Sequence, residues 1–210
     1  MIPSSDVAFT PRVKEIQTKR GSRAAYARQE QKGGWPTMVT PDLAATIAEA
    51  RSFYMATTAP DGQPYIQHRG GPKGFLRVVD ETTLGFADFT GNRQYITTGN
   101  LADNSRAFLF LMDYVHRRRV KIWGMARVTD DPEMIARLFP EGYDARPEQA
   151  ILFTIVAWDR NCPQHIPQMF PAEEVMAAVD ALTARIRTLE SQLAAAHGLT
   201  PPEPAAPAPA

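Results

Sequence analysis

The sequence predicts a mainly β protein with flanking helices, in which the strands form a closed or nearly closed barrel. Seven segments rich in β-branched and aromatic residues lie between Ser52 and Asp159, and few helical patterns interrupt them. A long helical pattern follows near the C-terminus. With 210 residues, the chain is long enough for one sizeable core with appendages.

Residues 1–39 are expected to form a basic N-terminal arm that contains one short helix. Between Pro11 and Lys32 there are seven Lys or Arg residues and only two Glu residues. Such an excess of positive charge is typical of a solvated arm, and it also suits an arm that clasps a second copy or faces an anion.

The barrel domain is expected to occupy residues 40–170 and to begin with a helix. Thr40 can cap that helix, and Pro41 suits its first turn. The pattern then changes to strands, and the first two form a hairpin with Asp61 and Gly62 at its tip. Two short helices are predicted between later strands, one within "NRQYITTGNLADN" and one after Asp130.

Residues 171–198 are predicted to form one amphipathic helix, followed by a disordered Pro/Ala tail over 199–210. Apolar residues recur there with the 4–3 spacing of a heptad repeat: Val175, Val179, Leu182, Ile186, Leu189 and Leu193. The pattern indicates either the seam of a short coiled coil or a single helix laid on the barrel. Spacing alone leaves both arrangements open.

Composition argues against several classes of function. Lys and Arg together number 23, as do Asp and Glu, so net charge offers no reason to expect nucleic acid binding. The single cysteine, Cys162, excludes a disulfide framework within the chain. No apolar run approaches the roughly 18 residues of a membrane helix, and the first thirty residues lack a hydrophobic signal core. We therefore expect no membrane association and a cytoplasmic location.

The stretch "YIQHRGGPKGFLRV" interrupts a predicted hairpin with basic residues and glycines. Arg69 and Lys73 can donate charge-assisted hydrogen bonds, and Gly70, Gly71 and Gly74 allow a ligand close to the backbone. The spacing matches neither a phosphate-binding P-loop nor a dinucleotide fingerprint. The stretch therefore indicates either an anion site or simply a long, solvated loop.

A second candidate is "FADFTGNRQYITTGNLADN", in which a strand turns into a helix expected to start at about Arg93. Free amide groups at a helix start, next to an arginine, are typical of a phosphate site. Asn92 and Thr90 could equally serve as plain caps.

A third candidate is the polar, aromatic loop "AWDRNCPQHIPQ" after the last strand. Trp158, Asn161, Gln164 and His165 could line a flat heteroaromatic ligand. Cys162 and His165 are too few for a structural zinc site, and no acid–base partner supports a cysteine nucleophile. The cysteine is best interpreted as a small packed residue, and no metal site is predicted.

The order of these elements, from about Ala44 to Pro167, resembles that of the pyridoxamine 5'-phosphate oxidase-like flavoproteins, whose fold is a split β-barrel. "QHRGG" resembles the family's strand-end arginine element along the flavin ring. "FADFTGNRQ" is similar to the cluster that grips the FMN phosphate, with Asn92, Arg93 and Gln94 in place of Ser-Arg-Lys. Lys73 is the candidate for the missing second base.

Three further segments extend the resemblance. "NLADNSRAFLFLM" is similar to the family's Asn-Pro turn into an apolar strand, with Ser105 where proline is usual, and "RRVKIWGMARV" resembles its "RQVRIEG" strand. "WDRNCPQHI" is similar to a segment of uncharacterised members that reaches the flavin of the partner subunit. True pyridoxamine phosphate oxidases end in a Trp- and Arg-containing segment that this chain lacks, so vitamin B6 oxidation is not implied.

The resemblance implies a homodimer that binds FMN and acts as an oxidoreductase on a small molecule of unspecified identity. A non-catalytic module for FMN, a deazaflavin or haem on the same barrel is the alternative, and a structural protein whose helix is the functional part is a third possibility. No catalytic acid or base is nominated, although His68 and Arg69 could polarise the flavin or the substrate. The implied cofactor-binding residues are Gln67, His68, Arg69, Gly70, Lys73, Ala87, Asn92, Arg93, Gln94, Trp158, Asn161, Cys162 and Gln164.

Overall fold

The structure is a computed structural model, which describes residues 2–160 and 163–198 of the chain. It contains two compact units, one over residues 1–167 and one over residues 168–210. Asn161, Cys162 and the predicted Pro/Ala tail lie outside the described residues.

The N-terminal segment contains more helix than the sequence suggested. A short 3-10 helix, Ser4–Val7, precedes helices α1, Pro11–Lys19, and α2, Arg23–Glu30. The helices carry few apolar residues, so their pattern is weak in the sequence. They are linked instead by the ion pair between Lys14 of α1 and Glu30 of α2 and by a hydrogen bond that Arg23 of α2 donates to Gln17 of α1. The prediction of one short helix in this segment was therefore wrong.

The end of this segment packs against the sheet instead of remaining in solvent. Trp35 is buried, and its ring stacks on Trp123 with centroids 4.8 Å apart and planes 19° apart. Phe9 meets Trp35 edge-on at 4.9 Å. Ring contacts of this kind attach the arm to one face of the barrel.

Helix α3, Pro41–Glu49, begins as the sequence predicted. The hydroxyl oxygen of Thr40 accepts a hydrogen bond from the Leu43 amide at 3.2 Å. Leu43 and Ile47 lie one turn apart and are fully buried, so the apolar face of α3 joins the core.

Seven antiparallel strands follow: β1 Ser52–Thr58, β2 Pro64–Gly70, β3 Arg77–Val78, β4 Thr83–Phe89, β5 Arg106–Asp113, β6 Arg118–Thr129 and β7 Pro147–Arg160. They form one sheet in the order β2-β1-β5-β6-β7-β4-β3. Because β2 and β3 are the two edges, the sheet is not closed. The architecture is the split barrel with flanking helices.

The hairpin tip and the two inserted helices agree with the sequence prediction. β1 and β2 pair from Ser52 opposite Gly70 to Thr58 opposite Pro64, and Gly62 in the tip has a φ of 92°. Helix α4, Ile96–Asp103, joins β4 to β5, and helix α5, Pro132–Leu138, joins β6 to β7. Both predicted inserted helices are therefore present.

The core lies inside the curved sheet and is built around aromatic side chains. Phe53 is fully buried, stacks on Phe75 at 5.5 Å and meets Phe86 edge-on at 5.1 Å. At Gly124 the pairing of β6 with β7 shifts by one residue, and a Cβ there would lie 2.3 Å from the Thr154 carbonyl oxygen. Only glycine fits this close crossing of two strands.

The second unit contains α6, Ala172–His197, which ends at Gly198 in a left-handed conformation with a φ of 65°. Its six heptad residues, from Val175 to Leu193, are 46% to 63% exposed. Among the described residues, none of the helices is both long and apolar enough to cross a membrane.

Candidate functional site

The first two candidate segments meet at a cleft of about 190 Å³ in the first unit. The end of β2 forms one wall, and the end of β4 with the turn into α4 forms the other. The lining residues are Gln67, Arg69, Asp88, Phe89, Gly91, Asn92, Arg93, Gln94, Tyr95, Ile96, Thr97, Thr98 and Glu148. Elements that are distant in the sequence thus share one surface.

An ion pair between Arg69 and Asp88 lies in the cleft wall. The two side chains are only 13% and 11% exposed, and the Asp88 carboxylate also accepts a hydrogen bond from Gln149 Nε2 at 2.9 Å. Gln149 Nε2 is in addition 2.9 Å from the Thr98 hydroxyl. The arginine Nε is buried and has no hydrogen-bond partner within the described residues. Since an unpaired buried donor is costly, this nitrogen is a natural contact for a ligand acceptor.

The alternation of β2 determines which side chains reach the cleft. Gln67 and Arg69 point to it, and the Thr97 hydroxyl of α4 donates a hydrogen bond to Gln67 Oε1 at 2.8 Å. His68, between them, lies on the opposite face, where its ring is 5.7 Å from the ring of Tyr54. The contact between Thr97 and Gln67 therefore joins the two walls.

The turn between β4 and α4 differs from the prediction. The helix begins at Ile96 and not at about Arg93, because Arg93 and Tyr95 both have left-handed backbone conformations, with φ of 58° and 54°. Asn92 Oδ1 accepts a hydrogen bond from the Gln94 amide at 3.2 Å, so Asn92 shapes the turn.

Arg93 stands at the rim of the cleft, exposed to solvent. Its Nε donates a hydrogen bond to the Tyr95 hydroxyl at 3.3 Å, and that hydroxyl in turn lies 3.4 Å from Glu148 Oε1. The hydrogen bond to Tyr95 and the charge of Glu148 raise the pKa of Arg93, which keeps the guanidinium positive. Among the described residues, Arg93 has no ion-pair partner.

Five of the predicted site residues line the cleft: Gln67, Arg69, Asn92, Arg93 and Gln94. The structure places several others elsewhere. Lys73 pairs with Glu49 at 2.6 Å, and Gly70 lies at the end of β2 opposite Ser52. Ala87 is buried against α5 in a small apolar cluster.

The third candidate segment does not line this cleft in the part of the chain that the structure describes. Trp158 is buried, and its Nε1 donates a hydrogen bond to the Met38 carbonyl at 2.9 Å. Gln164 is exposed to solvent. Asn161 and Cys162 fall outside the described residues.

The lining residues that the sequence analysis did not predict are Asp88, Phe89, Gly91, Tyr95, Ile96, Thr97, Thr98 and Glu148. The sequence pattern around Asp88 could have indicated a site residue, because a carboxylate within the apolar strand "FADF" needs a buried partner. No sequence pattern indicates Glu148, because this residue reaches the cleft only through the pairing of β7 with β4.

Comparison with known proteins identifies one matching family and several structural relatives. The sequence profile of the family described as pyridoxamine 5'-phosphate oxidase matches residues 39–162. No curated protein matches the sequence. The crystal structure of HupZ from group A Streptococcus is 18% identical, with a TM-score of 0.50, over 63% of this chain and 100% of that one.

Two other solved structures have lower TM-scores. A Clostridium acetobutylicum protein related to general stress protein 26, of the pyridoxinephosphate oxidase family, is 15% identical, with a TM-score of 0.43, over 62% of this chain and 92% of its own. An FMN-binding protein from Syntrophomonas wolfei is 12% identical, with a TM-score of 0.46, over 70% of this chain and 96% of its own. At such identities the structural likeness concerns the fold alone.

Proposed function

This chain belongs to the pyridoxamine 5'-phosphate oxidase family, and we propose that it is a homodimeric, FMN-dependent oxidoreductase that acts on a small molecule. The observation that carries the proposal is the cleft between β2, β4 and α4, which combines a rim guanidinium with a buried, unpaired arginine nitrogen. When bound, FMN would supply the redox chemistry, while the protein binds and orients it.

The charges at the cleft suit the phosphate end of FMN. Two guanidinium groups, Arg69 and Arg93, and two carboxylates, Asp88 and Glu148, line it. Asp88 is paired with Arg69 and Gln149, and Glu148 lies beside the Tyr95 hydroxyl. Arg93 is therefore the cation best able to turn towards a dianion, and a charge-assisted contact would hold the phosphate at the rim.

The side chains around Arg93 add neutral donors. Gln94 and Asn92 lie beside it at the rim, and the Thr98 hydroxyl, which accepts a hydrogen bond from Gln149 Nε2, lies further in and can donate its own hydrogen. The unpaired Nε of Arg69 would donate to an oxygen of the ribityl chain or the ring. These donors suit a polar, anionic group such as the ribityl phosphate of FMN.

One chain offers only part of a flavin site. The cleft of about 190 Å³ is smaller than the roughly 300–1,000 Å³ of typical cofactor pockets, so the ring needs further walls. We assign those walls to a second copy. The outer face of β1, β2 and β5 carries partly exposed apolar side chains suited to such an interface: Tyr54, Ile66, Phe108 and Phe110.

The loop after β7 is the segment that we propose to contact the partner's flavin. Gln164 is exposed there, and Trp158 anchors the start of the loop through its bond to Met38. Asn161 and Cys162 belong to the same proposal. His68, on the outer face with Tyr54, would contact the second copy and not the ligand of its own chain.

A non-catalytic flavin-binding module is the second candidate. One observation favours it: Asp88, the buried carboxylate of the cleft, is already engaged by Arg69 and Gln149 and is poorly placed to act as an acid or base. Reduction of the bound cofactor by NADPH, followed by reoxidation with a substrate, would separate an enzyme from such a module.

The test of the proposal starts from the purified protein, which should carry FMN at close to one molecule per chain by absorbance and mass spectrometry. Arg93→Ala should then weaken FMN binding by about 1.5–3 kcal/mol, roughly 10- to 150-fold in Kd, because a hydrogen bond to a charged group is lost. Arg12→Ala, which changes a highly exposed arginine of α1, is the matched control and should leave Kd unchanged. Equal affinities for the two variants would remove Arg93 from the phosphate site, and the absence of any FMN affinity would overturn the proposed function.

A further inference from the structure

The apolar stripe of α6 is not covered by the second unit itself. Its six heptad residues keep about half of their surface in water, although a helix of 26 residues gains most of its stability from packing such a stripe. We propose that α6 pairs with α6 of a second copy as a parallel, in-register, two-stranded coiled coil. The inference rests on the proposed homodimer and goes beyond it by assigning the orientation and the register.

The residue types at the two seam positions favour two strands. If Val179, Ile186 and Leu193 occupy position a of the heptad, then Val175, Leu182 and Leu189 occupy position d. β-branched Val or Ile at a, with Leu at d, is the combination that favours parallel dimers. Two of the three a positions and two of the three d positions follow that rule.

The charges beside the seam favour the parallel orientation. In the same register Arg185 occupies position g and Glu190, five residues later, occupies position e. In a parallel pair each g residue faces the partner's e residue of the next heptad, so Arg185 faces the partner's Glu190, and the pair forms twice. In an antiparallel pair g faces g instead, and the opposite charges no longer meet.

Both of these side chains are available for such a contact. Within residues 2–160 and 163–198, neither Arg185 nor Glu190 has an ion-pair partner, and both side chains are exposed. The positions away from the seam are small or polar, as the solvated face of a two-stranded coil requires: Asp180, Ala181, Ala184, Arg187, Thr188 and Ser191.

The helix ends supply little stability of their own. Pro171 occupies the N-cap and makes no side-chain capping hydrogen bond. Glu173 and Glu174 in the first turn and His197 in the last suit the helix dipole, but effects of this kind are small at solvent-exposed positions. Burial of the stripe against a second copy is thus the main source of stability that the sequence offers to α6.

Cysteine cross-linking of the full-length chain tests the orientation directly. In a Cys162→Ser background, Val175→Cys and Leu189→Cys each place one thiol at a d position, and the two sites lie about 21 Å apart along the helix. A parallel, in-register pair brings each thiol to its own mate, so both variants should give mostly disulfide-linked dimer under mild oxidation. Ala184→Cys, on the outer face, is the control and should give at least about five-fold less.

The alternatives give other patterns. An antiparallel pair can cross-link at most one of the two d sites, and a stripe packed on the barrel cross-links at neither; either result overturns the coiled coil. Light scattering of the reduced proteins separates the two failures. A dimer without cross-links overturns only the coiled coil, whereas a monomer also overturns the homodimer.

A charge exchange tests the pair of Arg185 with the partner's Glu190. Adding Arg185→Glu to Leu189→Cys should lower the yield of linked dimer, and further adding Glu190→Arg should restore it. A yield that stays low contradicts the assigned charge pair.

Discussion

The barrel and helix α6 differ in how far their apolar side chains are buried. Phe53, Phe75, Phe86 and Phe153 of the barrel are each less than 2% exposed, because the curved sheet and α3 surround them within one chain. The heptad residues of α6 are about half exposed. Fully burying a large apolar side chain contributes about 1.5–3 kcal/mol, so the barrel has this stabilisation by itself and α6 needs a second surface to obtain it.

The difference shows that an apolar pattern specifies a buried face but not what covers it. In the barrel, the buried side chains of the strands pack against one another and against α3. The surface that covers them therefore belongs to the same chain. In α6 the pattern is equally regular, yet its complement lies on another molecule in our proposal. Perturbations of the two regions should therefore differ in size and in their dependence on protein concentration.

The largest effect should come from the aromatic core. Phe53→Ala removes a fully buried ring that contacts Phe75 and Phe86, and should lower the free energy of unfolding by about 3–5 kcal/mol. Phe53→Leu, which leaves a much smaller void, should cost considerably less. Chemical denaturation of both variants measures the difference, and a loss below about 1 kcal/mol for the alanine variant would contradict the assigned core.

A smaller loss is expected where two strands cross most closely. Gly124→Ala places a Cβ within 2.4 Å of the Phe153 ring and 2.3 Å of the Thr154 carbonyl oxygen, so the strands must shift, at a cost of about 1–3 kcal/mol. Gly99→Ala, in α4 with nothing within 4 Å of the new carbon, is the matched control and should be neutral or slightly stabilising. Equal denaturation midpoints for the two variants would refute the tight crossing.

The smallest effect on the barrel should come from removing α6 altogether. Deletion of residues 172–210 leaves the buried core of the first unit intact, so the barrel should still fold, remain dimeric and lose only a few degrees in Tm. Thermal unfolding followed by circular dichroism, with light scattering, makes the measurement. A truncated chain that is monomeric would show that α6 carries the dimer, and an unfolded one would show that the barrel depends on it.

Local patterns in the sequence predicted much of the fold. The Thr40 cap, the Asp61–Gly62 hairpin tip and both inserted helices depend on residues close together in the chain, and all are present. The start of α4 was misplaced by about three residues, because the left-handed conformations of Arg93 and Tyr95 have no clear signal in non-glycine residues. The cleft was predicted in part, through Gln67, Arg69 and the Asn92–Gln94 turn.

By itself, the sequence determined most of the strands, the Thr40 cap and the heptad stripe of α6, which follow from periodicity and neighbouring residues. The family followed from the resemblance of its motifs. Only the tertiary structure decided which side chains share the cleft. Asp88 meets Arg69 from 19 residues away and Gln149 from 61 residues away, and Glu148 arrives with the same strand as Gln149. The physical reason is that strand pairing brings distant residues together, while the two-residue alternation of each strand sends Arg69 into the cleft and His68 away from it.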